Sequence, residues 1–323
     1  MLRILKANPM LSLVLPILMA LIIWIVSGIF HNQSADVSGL PMFDVFFRWI
    51  TKIHFLAVLL GLSLLILEAF IWNTFINKQS LLRQSSYFPA MFYLFLYSCR
   101  HNLINFYPAL IASLFLILSL KRLTESYKKE KALSEAFDAG VFIGIAALVY
   151  FPATVFLVFL WIGLLTMRSL IWREWLISLI GFLLPFIFSL VYYSIFYTPE
   201  TFWHEKLVTA IGHYKKIMMP GWQQIILIAS LAVTALVSAF FFLGKFTDNV
   251  VKNQKISALI GWFTLFAAIS LIASPRRDAC AFSLLALPFS FIFSNYFVRT
   301  KKKLIPEILF MILIVAIIVN VFF

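Results

Sequence analysis

Residues 137–168 read FDAGVFIGIAALVYFPATVFLVFLWIGLLTMR, and this stretch decides how the chain folds. Its only charged residues are Asp138 at the start and Arg168 at the end. One crossing of the hydrocarbon core takes about 20 apolar residues, so the stretch is too long for one ordinary span and too short for two. Pro152 lies near its middle, where a second helix could begin. The chain therefore either crosses the membrane here or enters it and returns.

The composition predicts an integral membrane protein. Of the 323 residues, 63% are hydrophobic, 12% are charged and 36 are phenylalanine, which is more apolar surface than a soluble domain of this length can bury. The apolar segments are longer than strands and do not alternate, which argues against a transmembrane β-barrel. We expect an all-α polytopic bundle that forms a single integral membrane domain over residues 1–323. Its first apolar stretch is interpreted as a retained helix rather than a cleaved signal peptide.

The apolar segments predict about eleven helices, several of them short. They lie near 10–30, 53–73, 86–99, 106–121, 137–149, 152–168, 175–197, 223–243, 257–273, 280–297 and 304–323. Lysines and arginines in the alternating connections then divide as 18 on one side and 8 on the other. The positive-inside rule places the N-terminus in the cytoplasm and the C-terminus outside. The net charge of +13 is thus a topology signal, with anionic lipid headgroups rather than nucleic acid as the partner.

The same count decides between crossing and returning. If residues 137–168 crossed once, the two sides would carry 14 and 12 basic residues, and the asymmetry would nearly vanish. We therefore predict a pair of short helices, broken at Tyr150-Phe151-Pro152, that enters the membrane and comes back. Residues 86–121 repeat this arrangement, with Phe88-Pro89-Ala90 and Tyr107-Pro108-Ala109 at the helix starts.

Short helices lead to a further expectation. A helix of about 14 residues rises about 21 Å, less than the roughly 30 Å of the hydrocarbon core. Non-helical backbone at that depth is tolerated only against protein or beside a water-filled cavity. We expect an outward-facing cavity that is sunk into the membrane. The alternative is that the pairs are tilted and packed, with their ends thinning the bilayer.

Several cations on the predicted outer side are candidates for substrate binding. Arg276 and Arg277 lie in the tight connection SPRRD, and Arg100 and His101 cap the first short hairpin. Arginine side chains suit phosphate oxygens, so these cations could hold a lipid-linked phosphate, with His204 of the long outer loop beside them. The alternative is headgroup contact or an Arg–Asp pair.

A few residues inside the predicted helices carry two interpretations each. Glu68 is either a functional intramembrane acid or a side chain that snorkels to the interface. Gly140 and Gly144 form a GxxxG pair, which more often indicates close helix packing than chemistry. Cys99 and Cys280 are interpreted as buried free thiols, with a disulfide as the alternative. No metal-ligand spacing and no nucleotide- or cofactor-binding motif is present, so we expect no metal and no cofactor.

Three stretches together resemble GT-C-type glycosyltransferases, which use polyprenyl-phosphate-linked sugars. They are AGVFIGIAALVYFPATVFLVFLWIGLL at 139–165, REWLISLIGFLLPFIFSLVYY at 173–193 and SPRRDACAFSLLALPFSFIFSNYF at 274–297. The resemblance implies an active site on the outer face, with the donor phosphate held by Arg276 and Arg277. It also implies that an acid in the first outer loop, Asp36 or Asp44, accepts a proton from the acceptor hydroxyl.

The chain departs from that pattern. Its first outer loop is short, no pair of adjacent acids follows the first helix, and no soluble outer domain follows. The whole chain also resembles an uncharacterised inner-membrane family of the Bacteroidota. Two hypotheses follow, both for a multi-pass protein of the bacterial inner membrane. One is a glycosyltransferase that uses a polyprenyl-phosphate-linked sugar at the outer face. The other is a non-catalytic membrane subunit that scaffolds a larger envelope complex through protein partners. A transporter is a weaker third hypothesis.

Overall fold

The structure of the protein is a computed structural model. It describes residues 9–30, 53–82, 84–99, 106–169, 171–196, 221–244, 250–273, 279–300 and 304–322. Within these ranges the chain is helical, with 11 α-helices and no strands, as the apolar segments predict. In chain order the helices are α1 Pro9–Phe30, α2 His54–Lys78, α3 Phe88–Ser98, α4 Pro108–Glu125, α5 Leu133–Val149, α6 Phe156–Met167, α7 Trp172–Phe196, α8 Trp222–Gly244, α9 Val251–Ala273, α10 Ala279–Arg299 and α11 Leu304–Phe322.

Four of these helices are long and apolar enough to cross a membrane. They are α2, α7, α9 and the segment Trp222–Phe242 of α8. Their exposed faces carry large apolar side chains such as Phe55, Ile187 and Phe240, as expected of helices that face lipid. These features confirm a helical membrane architecture. The cytoplasmic position of the N-terminus stays a prediction.

The opening stretch is broken where the sequence indicates. Helix α5 ends at Val149, and Tyr150 is extended, with φ −135° and ψ 97°. Residues Phe151–Val155 then form a 3₁₀-helix before α6 begins, so the expectation that an α-helix starts at Pro152 is wrong by one turn. The proline fits the first turn of the 3₁₀-helix, where no backbone donor is needed.

The broken pair enters and returns, as predicted. Arg168, directly after α6, donates to the carbonyl oxygen of Glu130, ahead of α5, at 2.9 Å. The same guanidinium lies 3.1 Å from a carboxylate oxygen of Glu174 in the first turn of α7. The start of α5 and the end of α6 therefore lie at the same end of the bundle.

Glycines bring α5 and α7 into backbone contact. A Cβ atom added to Gly140 would lie 2.2 Å from the carbonyl oxygen of Ser178, and one added to Gly144 would lie 2.4 Å from that of Phe182. From the opposite helix, a Cβ on Gly181 would lie 2.4 Å from the carbonyl oxygen of Phe137. The GxxxG pair is thus confirmed as a close-packing motif.

Helix α3, the first member of the other short hairpin, lies at the centre of the bundle. All its residues are buried, and it packs against α1, α2 and α10. The ring of Phe92 contacts those of Phe293, Phe297 and Phe310 at centroid distances of 5.8, 5.0 and 6.1 Å. A helix covered by protein on every side does not need to match the thickness of the bilayer. Its cover of protein explains why α3 can be short.

Polar contacts gather several loops at one end, which we call the basic end. Lys255 donates to the carbonyl oxygen of Met167 at 3.1 Å, and Asn253 to that of Ser80 at 3.0 Å. Arg299 donates to the carbonyl oxygen of Leu81 at 3.2 Å. These contacts join the connections after α2, α6 and α10 to the start of α9. They are the same connections that the charge count groups on one side of the membrane.

Candidate functional site

The site residues predicted from the sequence fall in segments that the structure does not describe. This holds for the candidate acids, the candidate phosphate-binding cations and the histidine grouped with them, namely Asp36, Asp44, Arg100, His101, His204, Arg276 and Arg277. Their roles stay predictions. Two features of the described residues are candidates for function: an apolar cavity and a buried polar cluster.

The cavity lies between α3, α8 and α10 and encloses about 230 Å³. Its lining combines small side chains of α8 and α10 with larger aliphatic and aromatic ones. It is lined by Leu96, Cys99, Leu227, Ile228, Leu231, Ala232, Ala235, Leu285, Ala286, Phe289 and Phe293. An apolar cavity of this kind excludes water and accepts apolar ligands.

The cavity opens towards the lipid-facing surface of the bundle. Ile228 is 48% exposed and Ala232 is also exposed, while both line the cavity from α8. The surrounding helix segment is one of the four that can cross a membrane. A ligand could therefore enter sideways from the hydrocarbon, without passing through water.

The polar groups at the cavity are engaged within the protein. The thiol of Cys99 donates to the carbonyl oxygen of Leu96 at 2.9 Å. The carbonyl oxygen of Cys99 accepts a hydrogen bond from Nδ2 of Asn320 at 2.8 Å. Cys99 is buried, and the side chain of Cys280 lies outside what the structure describes, so the pairing of the two cysteines stays a prediction. The cavity thus offers a hydrocarbon surface and suits an alkyl or isoprenoid chain.

Ring contacts fix the level of the cavity in the bundle. Helices α8 and α10 run parallel, since Phe241 contacts Tyr296 at 5.4 Å, and both residues follow the cavity-lining residues of their helices. The end of α10 belongs to the basic end through Arg299. Four of the five lining residues from α8 come from its first half, and those from α10 centre on its middle, so the cavity lies near the middle of both helices, slightly towards the opposite end of the bundle.

The buried polar cluster is centred on Glu68, which is 0% exposed. Its Oε2 atom accepts hydrogen bonds from the hydroxyl of Tyr93 and, at 2.8 Å, from that of Ser113. Its Oε1 atom is buried without a partner. The sequence alternative that Glu68 snorkels to the interface is wrong, because α3 and α4 enclose its side chain.

Two buried tryptophans hold α3 and α10 against their neighbours. The indole of Trp24 in α1 donates to the hydroxyl of Ser98 at 3.1 Å, and that of Trp72 in α2 donates to the hydroxyl of Ser290 at 2.9 Å. Both pairs join residues far apart in the sequence, so no spacing could have indicated them. They position α3, which forms one wall of the cavity and carries Tyr93.

Comparison with known proteins adds a family and no activity. No curated protein and no solved structure matches the chain. One family model, described as a family of unknown function (DUF6427), matches residues 1–323. The chain therefore belongs to the DUF6427 family.

Proposed function

We propose that this protein binds the hydrocarbon chain of a lipid-linked substrate in the cavity between α3, α8 and α10. The observation that carries the proposal is the cavity itself, which is apolar and opens sideways between Ile228 and Ala232 of a helix that can cross the membrane. Because the chain moves from hydrocarbon into an apolar cavity, van der Waals packing against the lining residues stabilises the complex, rather than removal of apolar surface from water. A membrane lipid reaches this cavity without leaving the hydrocarbon.

The position of the cavity favours a lipid with a phosphate headgroup. Arg276 and Arg277 precede α10 in the sequence, with Asp278 between them and the helix, and the first lining residue of α10, Leu285, is six positions into the helix. At about 1.5 Å per residue, this lining residue lies only about 9 Å along the axis from the start of α10. A phosphate bound by the arginines and a chain in the cavity therefore fit one amphipathic molecule. A polyprenyl phosphate that carries a sugar has this form.

Glycosyl transfer is the catalytic part of the proposal. In this scheme Asp44 or Asp36 takes the proton from the acceptor hydroxyl while the polyprenyl phosphate leaves the sugar. The substitutions Asp44→Asn and Asp36→Asn test this step in cells. Loss of a surface glycan with normal amounts of folded protein supports catalysis. Wild-type glycan in both variants rejects catalysis and leaves lipid binding to be judged separately.

Lipid binding is tested by native mass spectrometry of the purified full chain with added polyprenyl phosphate. Ala232→Trp fills the cavity mouth, and we expect it to lower the bound fraction at least tenfold. Ala229→Trp is the matched control, since Ala229 is also exposed on α8 and does not line the cavity. Equal binding by wild type and Ala232→Trp would contradict the proposal.

The headgroup is tested separately. The double substitution Arg276→Ala with Arg277→Ala should weaken binding of polyprenyl phosphate and leave binding of the uncharged polyprenol unchanged. Equal losses for the two lipids would show that the arginines act on folding rather than on the phosphate.

A scaffold subunit without catalysis is the second candidate, and one observation favours it. Protein covers the first helix of one short hairpin and the break of the other: α3 is wholly buried, and Tyr150 and Ala153 at the break are 7% and 0% exposed. Packed hairpins need no water-filled cavity, which matches the second of the two sequence expectations. Affinity purification in mild detergent tests this candidate, because a scaffold should retain a stoichiometric membrane partner and a self-contained enzyme should not.

A further inference from the structure

We propose that Glu68 is a proton-binding site at the junction of α2, α3 and α4, and that Ser113 changes its hydrogen bond when the proton binds. The site goes beyond the proposed lipid binding and does not depend on it. Its residues line no part of the α3–α8–α10 cavity. The ligand is a single proton, taken from water and returned to it.

Among the residues that the structure describes, the surroundings of Glu68 supply hydroxyl groups and no cation. Helix α1 contains no ionisable residue over 9–30, and the described part of α3 offers Tyr93, Tyr97 and Cys99. The first charged residues of α4 are Lys121 and Arg122, near its far end. On α2 itself, His54 and Lys78 are its first and last residues, and α10 reaches α2 through Ser290, with Arg299 at the basic end.

A carboxylate in these surroundings has only partial compensation. Burial of a charge is costly unless a counter-charge or several hydrogen bonds accompany it. Oε2 has two hydroxyl donors, whereas Oε1 has none. A proton removes the charge, so proton binding relieves the cost of burial.

Ser113 can accommodate both forms of the acid without movement of its oxygen. Its Oγ atom lies 2.8 Å from Oε2 of Glu68 and 2.7 Å from the carbonyl oxygen of Leu110. With the carboxylate, the serine hydrogen points to Oε2. With the neutral acid, the proton on Oε2 is donated to Oγ, and the serine hydrogen turns to Leu110. Tyr93 donates to Oε2 in both forms, since a protonated carboxyl oxygen keeps acceptor capacity.

An acid at this position differs from an amide in one respect. Glutamine could fill the same space and bond to the same hydroxyls, but it could not exchange a proton for a charge. Because Glu68, Tyr93 and Ser113 belong to three different helices, the loss of the proton places a charge in the interface that joins them. Proton occupancy is thereby coupled to the packing of α2 against α3 and α4.

Infrared spectroscopy of the full chain in lipid nanodiscs tests the site. At about pH 7 exposed carboxyls are ionised, so a carbonyl band of a protonated carboxyl reports a buried acid. We expect this band in the wild type, a shift of the band on ¹³C-glutamate labelling, and its loss in Glu68→Gln. Glu174→Gln is the matched control, because Glu174 is equally buried but is paired with Arg168. This control should keep the band.

The proposal is overturned if the wild type shows no glutamate-derived band, or if the band persists in Glu68→Gln. Should Glu68→Gln fail to fold, the labelled wild type still decides. Ser113→Ala tests the role of the serine. A hydrogen bond to a charged acceptor is stronger than one to a neutral group, so its loss should move disappearance of the band to higher pH by about one unit. Ser119→Ala, which removes a buried hydroxyl bonded to Ala139, should leave that pH unchanged. An unchanged pH in Ser113→Ala would reject the serine switch.

Discussion

The two sides of this bundle use small residues in opposite ways. On the side formed by α5 and α7, Gly140 and Gly144 bring two helix backbones into direct contact. On the side formed by α8 and α10, Ala232, Ala235 and Ala286 line a cavity together with bulky side chains. We call these the closed side and the open side. A small residue joins two helices only where the facing surface is backbone, and among bulky side chains it leaves space.

The closed side and the open side also differ in how deeply their helices are buried and in how many ion pairs they carry. The membrane-length window of α8 on the open side is 17% buried, compared with 28% for that of α7 on the closed side. The closed side ends in ion pairs and hydrogen bonds that tie α5, α6 and α7 together at the basic end. The open side shows apolar contacts along its helices. Stability is therefore expected to reside on the closed side and ligand binding on the open side.

The largest effect should come from the buried ion pair of the closed side. Arg168 and Glu174 have side chains that are 8% and 2% exposed. Arg168→Met leaves the carboxylate buried without its counter-charge, which we expect to cost about 3–5 kcal/mol. The midpoint of thermal unfolding in detergent measures the loss.

Arg122→Met is the matched control, since Arg122 is 44% exposed and lies 3.1 Å from Glu125 and 3.3 Å from Asp138. It should change the stability by less than about 1 kcal/mol. If both substitutions lower the midpoint equally, the buried pair of Arg168 and Glu174 contributes no more to stability than an exposed ion pair.

A methyl group at the helix contact should give the next largest effect. In Gly140→Ala the new Cβ atom meets the backbone of Ser178, and α5 and α7 must separate, which we expect to cost about 1–3 kcal/mol. Gly261→Ala in α9 is the control, because a Cβ atom there meets nothing within 4 Å. This control should stabilise the helix by about 0.5–1 kcal/mol. If both variants change the stability in the same direction, the close backbone contact between α5 and α7 is contradicted.

Filling the cavity should have the reverse effect on the open side. Ala286→Leu adds apolar volume where space exists, so we expect a gain of about 1 kcal/mol in lipid-free detergent and weaker binding of polyprenyl phosphate. Ala267→Leu, at a fully buried alanine that does not line the cavity, should instead destabilise the protein by about 1–3 kcal/mol. A loss of stability in Ala286→Leu would show that the cavity is closed in solution.

The smallest effect concerns Glu135, which precedes the apolar run of α5 at the basic end. Burial opposes ionisation of its carboxyl, but hydrogen bonds from Lys129, from the backbone and from Ser134 outweigh burial and lower the pKa of Glu135 below its ordinary value of 4.5. The folded chain thus favours the carboxylate. Its stabilising contribution is present above about pH 4.5 and is lost as the pH falls through the folded pKa.

We expect this contribution to be about 0.5–1 kcal/mol, because the side chain of Lys129 is 48% exposed. Thermal unfolding of wild type and Glu135→Gln should differ at neutral pH and converge in acid. If the difference in unfolding midpoint between the two proteins stays constant with pH, the ionised carboxyl of Glu135 does not stabilise the closed side.

The sequence was sufficient for the arrangement of the closed side. The basic residues indicated the return of the chain after residue 150, and the spacing of Gly140 and Gly144 indicated a close contact. Helix ends were less accurate. Helix α2 continues to Lys78 rather than ending at 73, and α9 begins at Val251 rather than at 257. Hydropathy marks the part of a helix in hydrocarbon and misses polar turns such as the one that carries Lys255.

The open side and the acid at the centre could not be inferred in the same way. The cavity depends on how far α8 lies from α3 and α10, and nothing in the local pattern of any one helix records that distance. Glu68 was recognised as an intramembrane acid, but the residues that enclose it, Tyr93 and Ser113, lie 25 and 45 positions away. The outward, water-filled cavity at the short hairpins stays a prediction, whereas the described cavity is apolar and faces lipid.

The most direct test of the account is a cryo-EM map of the protein in nanodiscs that contain polyprenyl phosphate. We predict an elongated density between α3, α8 and α10, in contact with Ala232, Ala286 and Phe289, with its phosphate near Arg276 and Arg277. The map of Ala232→Trp should lack this density and keep the packing of α5 on α7. A wild-type map in which α8 closes against α10, with no ligand density between them, would contradict the lipid-binding role.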